Sequence, residues 1–420
     1  MKLKQIRVNG YKNLINCEVD IGDFNVLVGP NNSGKSNLLE AIQMLFPICF
    51  GDDDFRAIIF KGTTPPPRLG SSVCHLKKHK NKPMTIGIGF EIKIKGKLWR
   101  ADYDFTIQCG ESQNEIGFLR ELLTAKQIEE PLKTGRAKIY ISREEKELRI
   151  REHGKKVLKK HAISKNNSSL LAIRSLYADF EGLSQEFQLF SNVISLMSTT
   201  KIFAISPKDM RNAIDTEKPI EDIQVSSFDL SFMADKIEKE AKYYNLFKES
   251  LCDILDLEDV YFEAKDIPTP LKKEGAKEKM KRMRILGLKR IGDRFSLIDE
   301  YSDGTLVVAA ILEALFSRNV SGPILCLEEL ENCLHPAAVE KLLRFLQDHS
   351  EDWPVLITTH SPYLLNGIRP EDVNVAVVGE TGATHFEKVK NSRQLREYLN
   401  KNLMSFGELL VSNFKDFREE

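Results

Sequence analysis

Phe24-Asn25-Val26-Leu27-Val28 runs directly into Gly29-Pro30-Asn31-Asn32-Ser33-Gly34-Lys35-Ser36, and NLLEAIQMLF follows over 37–46. The first segment reads as a short apolar strand, the last as a helix, and the segment between as a glycine-containing loop. That loop fits G-x-x-x-x-G-K-[ST], whose backbone N–H groups converge on phosphate. Glycine permits the tight turn, successive N–H groups make an anion-binding concavity, and the following helix points its positive end at the anion. In this reading Gly29, Asn31, Asn32, Ser33, Gly34 and Asn37 surround the phosphates. Lys35 reaches the β- and γ-phosphates, and the Ser36 hydroxyl ligates Mg²⁺. A chance match in a turn would require neither the strand before nor the helix after, and both are present.

Outward from this loop, three further motifs share its chemistry. Ile324-Leu325-Cys326-Leu327 is a buried-strand run that ends in Glu328-Glu329. One carboxylate there suits a metal held through water and the next a general base that polarises an attacking water. Glu328 is assigned to Mg²⁺ and Glu329 to the water. Taken alone, the pair would read as a charged strand end meeting solvent. Tyr301-Ser302-Asp303-Gly304-Thr305 opens a helix over 305–317, where small residues offer N–H groups and a hydroxyl to an anion; a plain N-cap by Ser302 or Asp303 is the competing explanation. Thr358-Thr359-His360-Ser361-Pro362 follows the strand Val355-Leu356-Ile357. It places His360 at a strand's carboxyl end, where it can touch the γ-phosphate and the attacking water.

The rest of the chain supplies the frame. Alternation predicts strands over 3–9 and 15–21. Ile86, Ile88, Phe90, Ile92 and Ile94, a turn at Gly96-Lys97, and Trp99, Ala101, Tyr103, Phe105 and Ile107 predict a hairpin with one buried face. A second hairpin is expected over 137–158 around the charged turn Arg143–Lys146. Met233, Ile237, Ala241, Tyr244, Phe247, Leu251 and Ile254 predict one amphipathic helix. It has no antiparallel mate of the kind a long coiled-coil arm needs. Residues 51–83 read as a surface loop with Cys74, His75 and His79 in it, for which surface residues are a better reading than a metal site. Further strands are expected over 294–298, 323–327, 355–359 and 373–378, and a helix over 336–348. Strands alternating with helices give an α/β fold. The expected organisation is a phosphate-loop core over 1–60 and 291–400, β-hairpins and loops over 61–165, a helical insertion with a basic segment over 166–290, and a C-terminal tail over 401–420.

Composition narrows the class. At 42% hydrophobic and 29% charged, the chain reads as folded. Lys plus Arg equals Asp plus Glu at 61 each, so any nucleic-acid contact has to be a local patch. Lys272–Arg290 is such a patch, with nine Lys or Arg against two Glu. The opening MKLKQIRVNGYKNL lacks the apolar region of a signal peptide, and no run approaches the roughly 20 apolar residues of a membrane helix. Seven scattered cysteines fit reduced thiols, so a cytoplasmic location without membrane association is expected.

In this order the four motifs resemble the ATPase heads of the ABC superfamily, in the branch that holds RecF, SMC and OLD-type proteins. The resemblance rests on IRVNGYKNL, GPNNSGKSNLLEAI, YSDGT, LEELENCLHP and TTHSP. It covers 1–45 and 295–370 and leaves 51–290 apart. It implies an ABC-type fold, a mixed sheet with an antiparallel β subdomain, ATP and Mg²⁺, and a head-to-head homodimer or higher even oligomer. Ser302 and Gly304 would then act on nucleotide held by the partner. Glu331, Leu334, His335 and Pro336 would line the seam, His360 would be the switch histidine, and Lys12 and Asn13 would reach the nucleotide. Asp303 stands where transporters carry a second glycine, as is common in this branch. For the Q-loop glutamine, Gln108 at a strand end is the candidate. The residues after His360, read as one strand and one helix without a D-x-D set, are too few for the Toprim nuclease that OLD-type proteins carry. No N-K-x-D motif reads guanine, since Asn81-Lys82 is followed by Pro83-Met84. The hexameric unfoldase class lacks the signature and the switch. Stand-alone members of this branch occur in bacterial anti-phage defence with a nuclease or toxin encoded nearby. That implies a sensor or regulator acting with such an effector or with DNA. A RecF-like repair clamp is the alternative, and a soluble transporter subunit fits less well, given the long insertion.

Overall fold

A computed structural model of the chain describes residues 2–45, 82–108, 115–129, 133–134, 137–151, 158–176, 189, 193, 201–203, 241–268, 280–290, 292, 295–297, 302–316, 324–332, 334–352, 354–390 and 393–412. In chain order its strands are β1 (Lys2–Asn9), β2 (Cys17–Asp20), β3 (Phe24–Val28), β4 (Met84–Ile94), β5 (Lys97–Gln108), β6 (Gly117–Glu129), β7 (Lys133–Thr134), β8 (Lys138–Glu144), β9 (Glu147–Arg151), β10 (Leu158–Ala162), β11 (Lys201–Phe203), β12 (Leu257–Pro268), β13 (Met280–Arg290), β14 (Phe295–Leu297), β15 (Leu325–Glu328), β16 (Val355–Thr359), β17 (Val373–Val378) and β18 (Thr384–Lys388). The helices are α1 (Lys35–Gln43), α2 (Ser169–Leu176), α3 (Ala241–Leu255), α4 (Asp303–Phe316), α5 (Pro336–Asp348), α6 (Pro362–Leu365), α7 (Arg393–Lys401) and α8 (Phe406–Ser412). The surface loop expected over 51–83, with Cys74, His75 and His79, lies outside the described residues up to 81. The fold is α/β, and the chain divides into two compact units.

The first unit comprises Met1–Thr200, Gly322–Ile324 and Arg369–Glu420. Its large sheet runs β10-β9-β8-β6-β5-β4-β1-β2, with β7 attached to β6. β4 and β5 form the hairpin that the alternation predicts, with Ile86 opposite Phe105, Ile88 opposite Tyr103 and Phe90 opposite Ala101. The turn falls at Lys95 and Gly96, whose φ angles of 48° and 76° suit a tight hairpin of two left-handed residues. β8 and β9 form the second expected hairpin. Between the two hairpins lies β6, which simple alternation does not find. Its pairing with β5 shifts register between Thr106 and Ile107, so the inward set moves from Phe118 to Glu121, Leu123 and Ala125. An extra residue that changes the phase of alternation, and a glutamate at a core position, together hide the strand.

That glutamate is fully buried, and so is Arg143, 2.6 Å away. Glu121 also accepts hydrogen bonds from the Tyr103 hydroxyl (2.7 Å) and from the Ser169 N–H and hydroxyl (2.8 and 2.7 Å). Arg143 donates to the carbonyls of Glu145 and Ser164, both at 2.8 Å, and of Asn167. The pair therefore satisfies the free N–H at the start of α2 and ties the loop before it to the sheet. A buried pair with its remaining lone pairs and protons used is the only kind whose desolvation is offset.

The same unit holds β3, β17 and β18. β17 lies parallel to β3 and antiparallel to β18. Every residue of β3 is buried, as in a parallel layer covered on both faces, and its one polar side chain, Asn25, is satisfied by the Gly22 N–H and carbonyl. After His360 the expected single strand and single helix are corrected: β17 and β18 form, and α6, α7 and α8 accompany them. Within the expected tail over 401–420, α8 forms and buries Leu409 and Leu410.

The second unit comprises Lys201–Ser321 and Leu325–Ile368. β11, β15 and β16 are parallel in that order. α4 is apolar on all sides and buries Leu306 through Leu312 without a break, the pattern of a core helix. α5 buries Val339, Leu342, Leu343 and Leu346, one stripe at helical spacing. Phe247 of α3 meets Phe316 of α4 edge-on at 6.2 Å. The helix expected from Met233 is described from Ala241 onward. The helical insertion expected over 166–290 is corrected at its end. β12 and β13 form an antiparallel hairpin, joined by β14. VYF and RILGL within this stretch are strand-forming sequences. Of the basic segment, Met280–Arg290 is β13, and Lys272 through Lys279 lie outside the described residues.

Candidate functional site

The phosphate loop leaves the end of β3 in the first unit. Gly34 takes φ 96° and caps α1 without a side chain. A Cβ there would lie 3.0 Å from Asn13 Oδ1, and one on Gly29 would lie 2.9 Å from both Ala376 Cβ and Ser33 Oγ. Both glycines are therefore required by close approach as well as by backbone angle. Asn32 is also left-handed, with φ 63°, and Ser33 N–H closes the turn onto the Pro30 carbonyl at 3.2 Å. Lys35 is 7% exposed, and its ammonium donates to the carbonyls of Gly29 (2.7 Å) and Pro30 (3.1 Å). Ser33 Oγ is buried with no partner among the described residues. A buried polar atom without a partner marks a place where an outside group completes the hydrogen bonding.

Lys12 and Asn13 hold this loop from behind. Lys12 is 4% exposed, takes φ 48°, and pairs with Glu40 of α1. The Tyr11 hydroxyl donates to the same carboxylate at 3.1 Å, and burial, then the Glu40 charge, push its pKa up. Asn13 accepts from the Asn37 amide at 2.7 Å and donates to the Thr384 hydroxyl at 2.9 Å. Any reach of Lys12 toward nucleotide competes with its ion pair to Glu40. Asn37, expected near the phosphates, is engaged with Asn13.

In the second unit, β15 delivers Glu328 as its last residue. Glu329 follows with φ 49°, a left-handed conformation rare for a residue with a long side chain. Its N–H is held by the Thr358 carbonyl and hydroxyl, both at 3.0 Å, and its carboxylate accepts from the Asn332 amide at 2.6 Å. His335 caps α5 through Nδ1, and Pro336 sits at the first helical position, where no N–H is needed. β16 ends in Thr358 and Thr359, both buried, and the chain then exposes His360. His360 Nδ1 stands 3.9 Å from Glu329 Oε1 and 3.6 Å from Glu331 Oε1. The structure thus brings Glu329, His360 and Glu331 together, and it places Glu331 against the switch. The sequence signal for this was the spacing of Glu331 two residues beyond Glu329.

Ser302 and Thr305 share a hydroxyl–hydroxyl contact at 3.0 Å, and Thr305 N–H reaches Ser302 Oγ at 3.4 Å. Ser302 is therefore an N-cap of α4, as the competing explanation has it, and it is exposed together with Asp303 while Gly304 is half-buried. Gln108 is the last residue of β5, and the segment after it, 109–114, lies outside the described residues.

A phosphate loop that opens a helix from the end of a buried parallel strand is the mark of a P-loop ATPase, and the fold is of the ABC type. The AAA ATPase domain family matches residues 1–365, and the chain belongs to that family. Among curated relatives, the DNA replication and repair protein RecF of Aliivibrio fischeri is 39% identical over 46 residues, 11% of this chain and 13% of its own length. RecF of Vibrio campbellii is 41% identical over 46 residues, again 13% of its length. The chain thus spans a small part of these relatives. A solved SMC head bound to the C-winged helix domain of ScpA superposes with a TM-score of 0.51 at 11% identity, covering 94% of this chain and 100% of that one. At that identity the likeness is one of fold. The SMC head of Thermotoga maritima gives a TM-score of 0.43 at 14% identity, covering 93% and 100%. No helix among the described residues is long and apolar enough to cross a membrane.

Proposed function

We propose that this ATPase hydrolyses ATP in a head-to-head homodimer and serves as a sensor or regulator, acting with DNA or with a separate nuclease or toxin encoded nearby, in bacterial anti-phage defence. The carrying observation is Glu329, its backbone N–H held by Thr358 and its carboxylate by the Asn332 amide, beside His360. Glu329 accepts a proton as water attacks the γ-phosphate, and ADP and phosphate leave. Lys35 exchanges its contacts with the Gly29 and Pro30 carbonyls for the β- and γ-phosphates. His360 donates a hydrogen bond to the γ-phosphate. Ser36 and Glu328 would hold Mg²⁺ through their oxygens, and the ion would supply charge neutralisation to the phosphates. Genome neighbours separate the defence reading from that of a repair clamp.

The dimer reading draws support from α4. Its body is buried while Ser302 and Asp303 at its start are exposed, so that end is available to a second copy. Mixing Lys35→Ala subunits with Ser302→Arg subunits is expected to restore turnover that neither variant shows alone, because one heterodimer site keeps both intact halves. Dimers that form without any rescue would count against action in trans.

The DNA reading rests on the basic stretch that ends in β13. Lys289 of β13 pairs with Glu258 of β12 at 2.6 Å. Part of the basic charge is therefore met within the hairpin. DNA affinity measured at several salt concentrations, with and without ATP, is expected to fall by about 0.9 in log slope per phosphate neutralised. Replacing Lys279, Lys281, Arg282 and Arg284 by Glu is expected to abolish it. Absence of binding at low salt, or equal binding by the variant, would point to a protein partner instead.

A further inference from the structure

We infer that Glu331 is a positioning residue that sets the switch histidine, a role that rests on the ATPase reading and extends it to a specific side chain. The imidazole of His360 is 47% exposed and makes no hydrogen bond among the described residues; its nearest charged oxygens stand at 3.6 and 3.9 Å. Among the described residues, the hydrogen bonds that bear on its position are made by the main chain around it. That main chain is held by one atom. Glu331 Oε1 accepts from the His360 N–H at 3.1 Å and from the Thr359 hydroxyl at 2.7 Å. The same hydroxyl accepts from the Ser361 N–H at 3.0 Å. Three consecutive residues around the imidazole are thus tied to a single carboxylate oxygen, directly or through Thr359.

The surroundings argue that this tie has a purpose beyond stability. Thr359 is fully buried, so its hydroxyl has no water to turn to. Glu331 is mostly buried at 16% side-chain exposure, and its second oxygen, Oε2, has no partner among the described residues. A carboxylate oxygen left in that state costs folding free energy. An apolar residue with a smaller desolvation penalty would serve packing better. What the carboxylate provides, and an apolar residue cannot, is an acceptor strong enough to hold two donors at the end of β16. Downstream, Ser361 caps α6 by accepting from the Leu364 N–H at 3.4 Å, so the same corner fixes where that helix starts.

The test measures kcat, KM and thermal stability for Glu331→Ala, Glu331→Gln, His360→Ala and the double variant Glu331→Ala/His360→Ala. Glu331→Ala is expected to lower kcat by about 10- to 100-fold, the usual consequence of a misplaced reacting group, with KM little changed. Gln keeps an oxygen that accepts from both donors, so Glu331→Gln is expected to retain most of the turnover. If Glu331 acts through His360, the double variant is no slower than His360→Ala alone, whereas independent contributions would multiply. Multiplied losses, an unchanged kcat in Glu331→Ala, or equal losses in the Gln and Ala variants would each overturn the inference. Should Glu331→Ala fail to fold, Thr359→Val removes only the hydroxyl and carries the same expectation. Wild-type protein without any turnover would instead remove the ATPase reading, and the two failures are distinct.

Discussion

Glu329→Gln is expected to bind ATP and to hydrolyse it on the order of 10²- to 10⁴-fold more slowly than wild type, the effect of removing the proposed general base. The substitution is close to isosteric, and the geometry says what survives it. The backbone N–H of residue 329 stays on the Thr358 carbonyl and hydroxyl, because those bonds do not involve the side chain. The amide oxygen of Gln still accepts from Asn332, now 2.6 Å from Glu329 Oε2. The left-handed backbone at φ 49° is retained, since Gln and Glu meet the same steric limits there. Only the capacity to take a proton is lost. Lys35→Ala is expected to fail in another way, by losing nucleotide affinity, because the β/γ-phosphate charge would lose its proposed partner. Steady-state turnover together with equilibrium nucleotide binding separates the two. Normal turnover by Glu329→Gln would move the base to another residue.

Arg143→Met is expected to destabilise the first unit by about 3–5 kcal/mol, the cost of leaving a buried charge without its partner. Glu121 would remain fully buried, with Tyr103 and Ser169 still donating to it but without the positive charge of Arg143. The carbonyls of Glu145, Ser164 and Asn167 would lose their donor as well. The double variant Arg143→Met/Glu121→Leu is expected to recover part of the loss, since the uncompensated charge is gone. It does not recover all of it, because Ser169 N–H and the three carbonyls stay unpaired. Urea unfolding of the single and double variants reads this directly. Equal stability of Arg143→Met and wild type would show that water or relaxation reaches the pair.

Arg143 also shows where sequence reading stops. In the chain it stands in a run of charges that reads as an exposed turn, and the turn does form beside it. Its burial depends on Glu121, on a strand whose alternation is broken by a register shift, and on Ser164 and Asn167 beyond a later loop. None of these is local. By contrast β3, β16 and α5 were legible to the residue or nearly so, because each carries its own signal: a mostly apolar run that stops at glycine, an apolar run that ends in two threonines, and proline opening an amphipathic stripe. The phosphate loop and the Glu328-Glu329 strand end were legible for the same reason. Lys12 was not, since its engagement with Glu40 is set by how the first strand's exit packs on α1. β13 was hidden by composition: dense Lys and Arg suggest a solvated segment, while its pairing with β12 is decided by register across the hairpin.

The parallel pairing of β3 with β17 has a consequence for the order in which the molecule is made. Val26 lies opposite Val373, and Val28 opposite Val375. At a synthesis rate of roughly 5–20 residues per second, the neighbour of the phosphate-loop strand emerges from the ribosome tens of seconds after the strand itself. During that interval the apolar edge of β3 has no β17 to cover it, the Asn13–Thr384 hydrogen bond cannot form, and Gly29 has no Ala376 to pack against. Nascent chains stalled before residue 369 should therefore be sticky and unable to retain nucleotide, and the nucleotide-binding half of the protein should be among the last parts to become native on the ribosome.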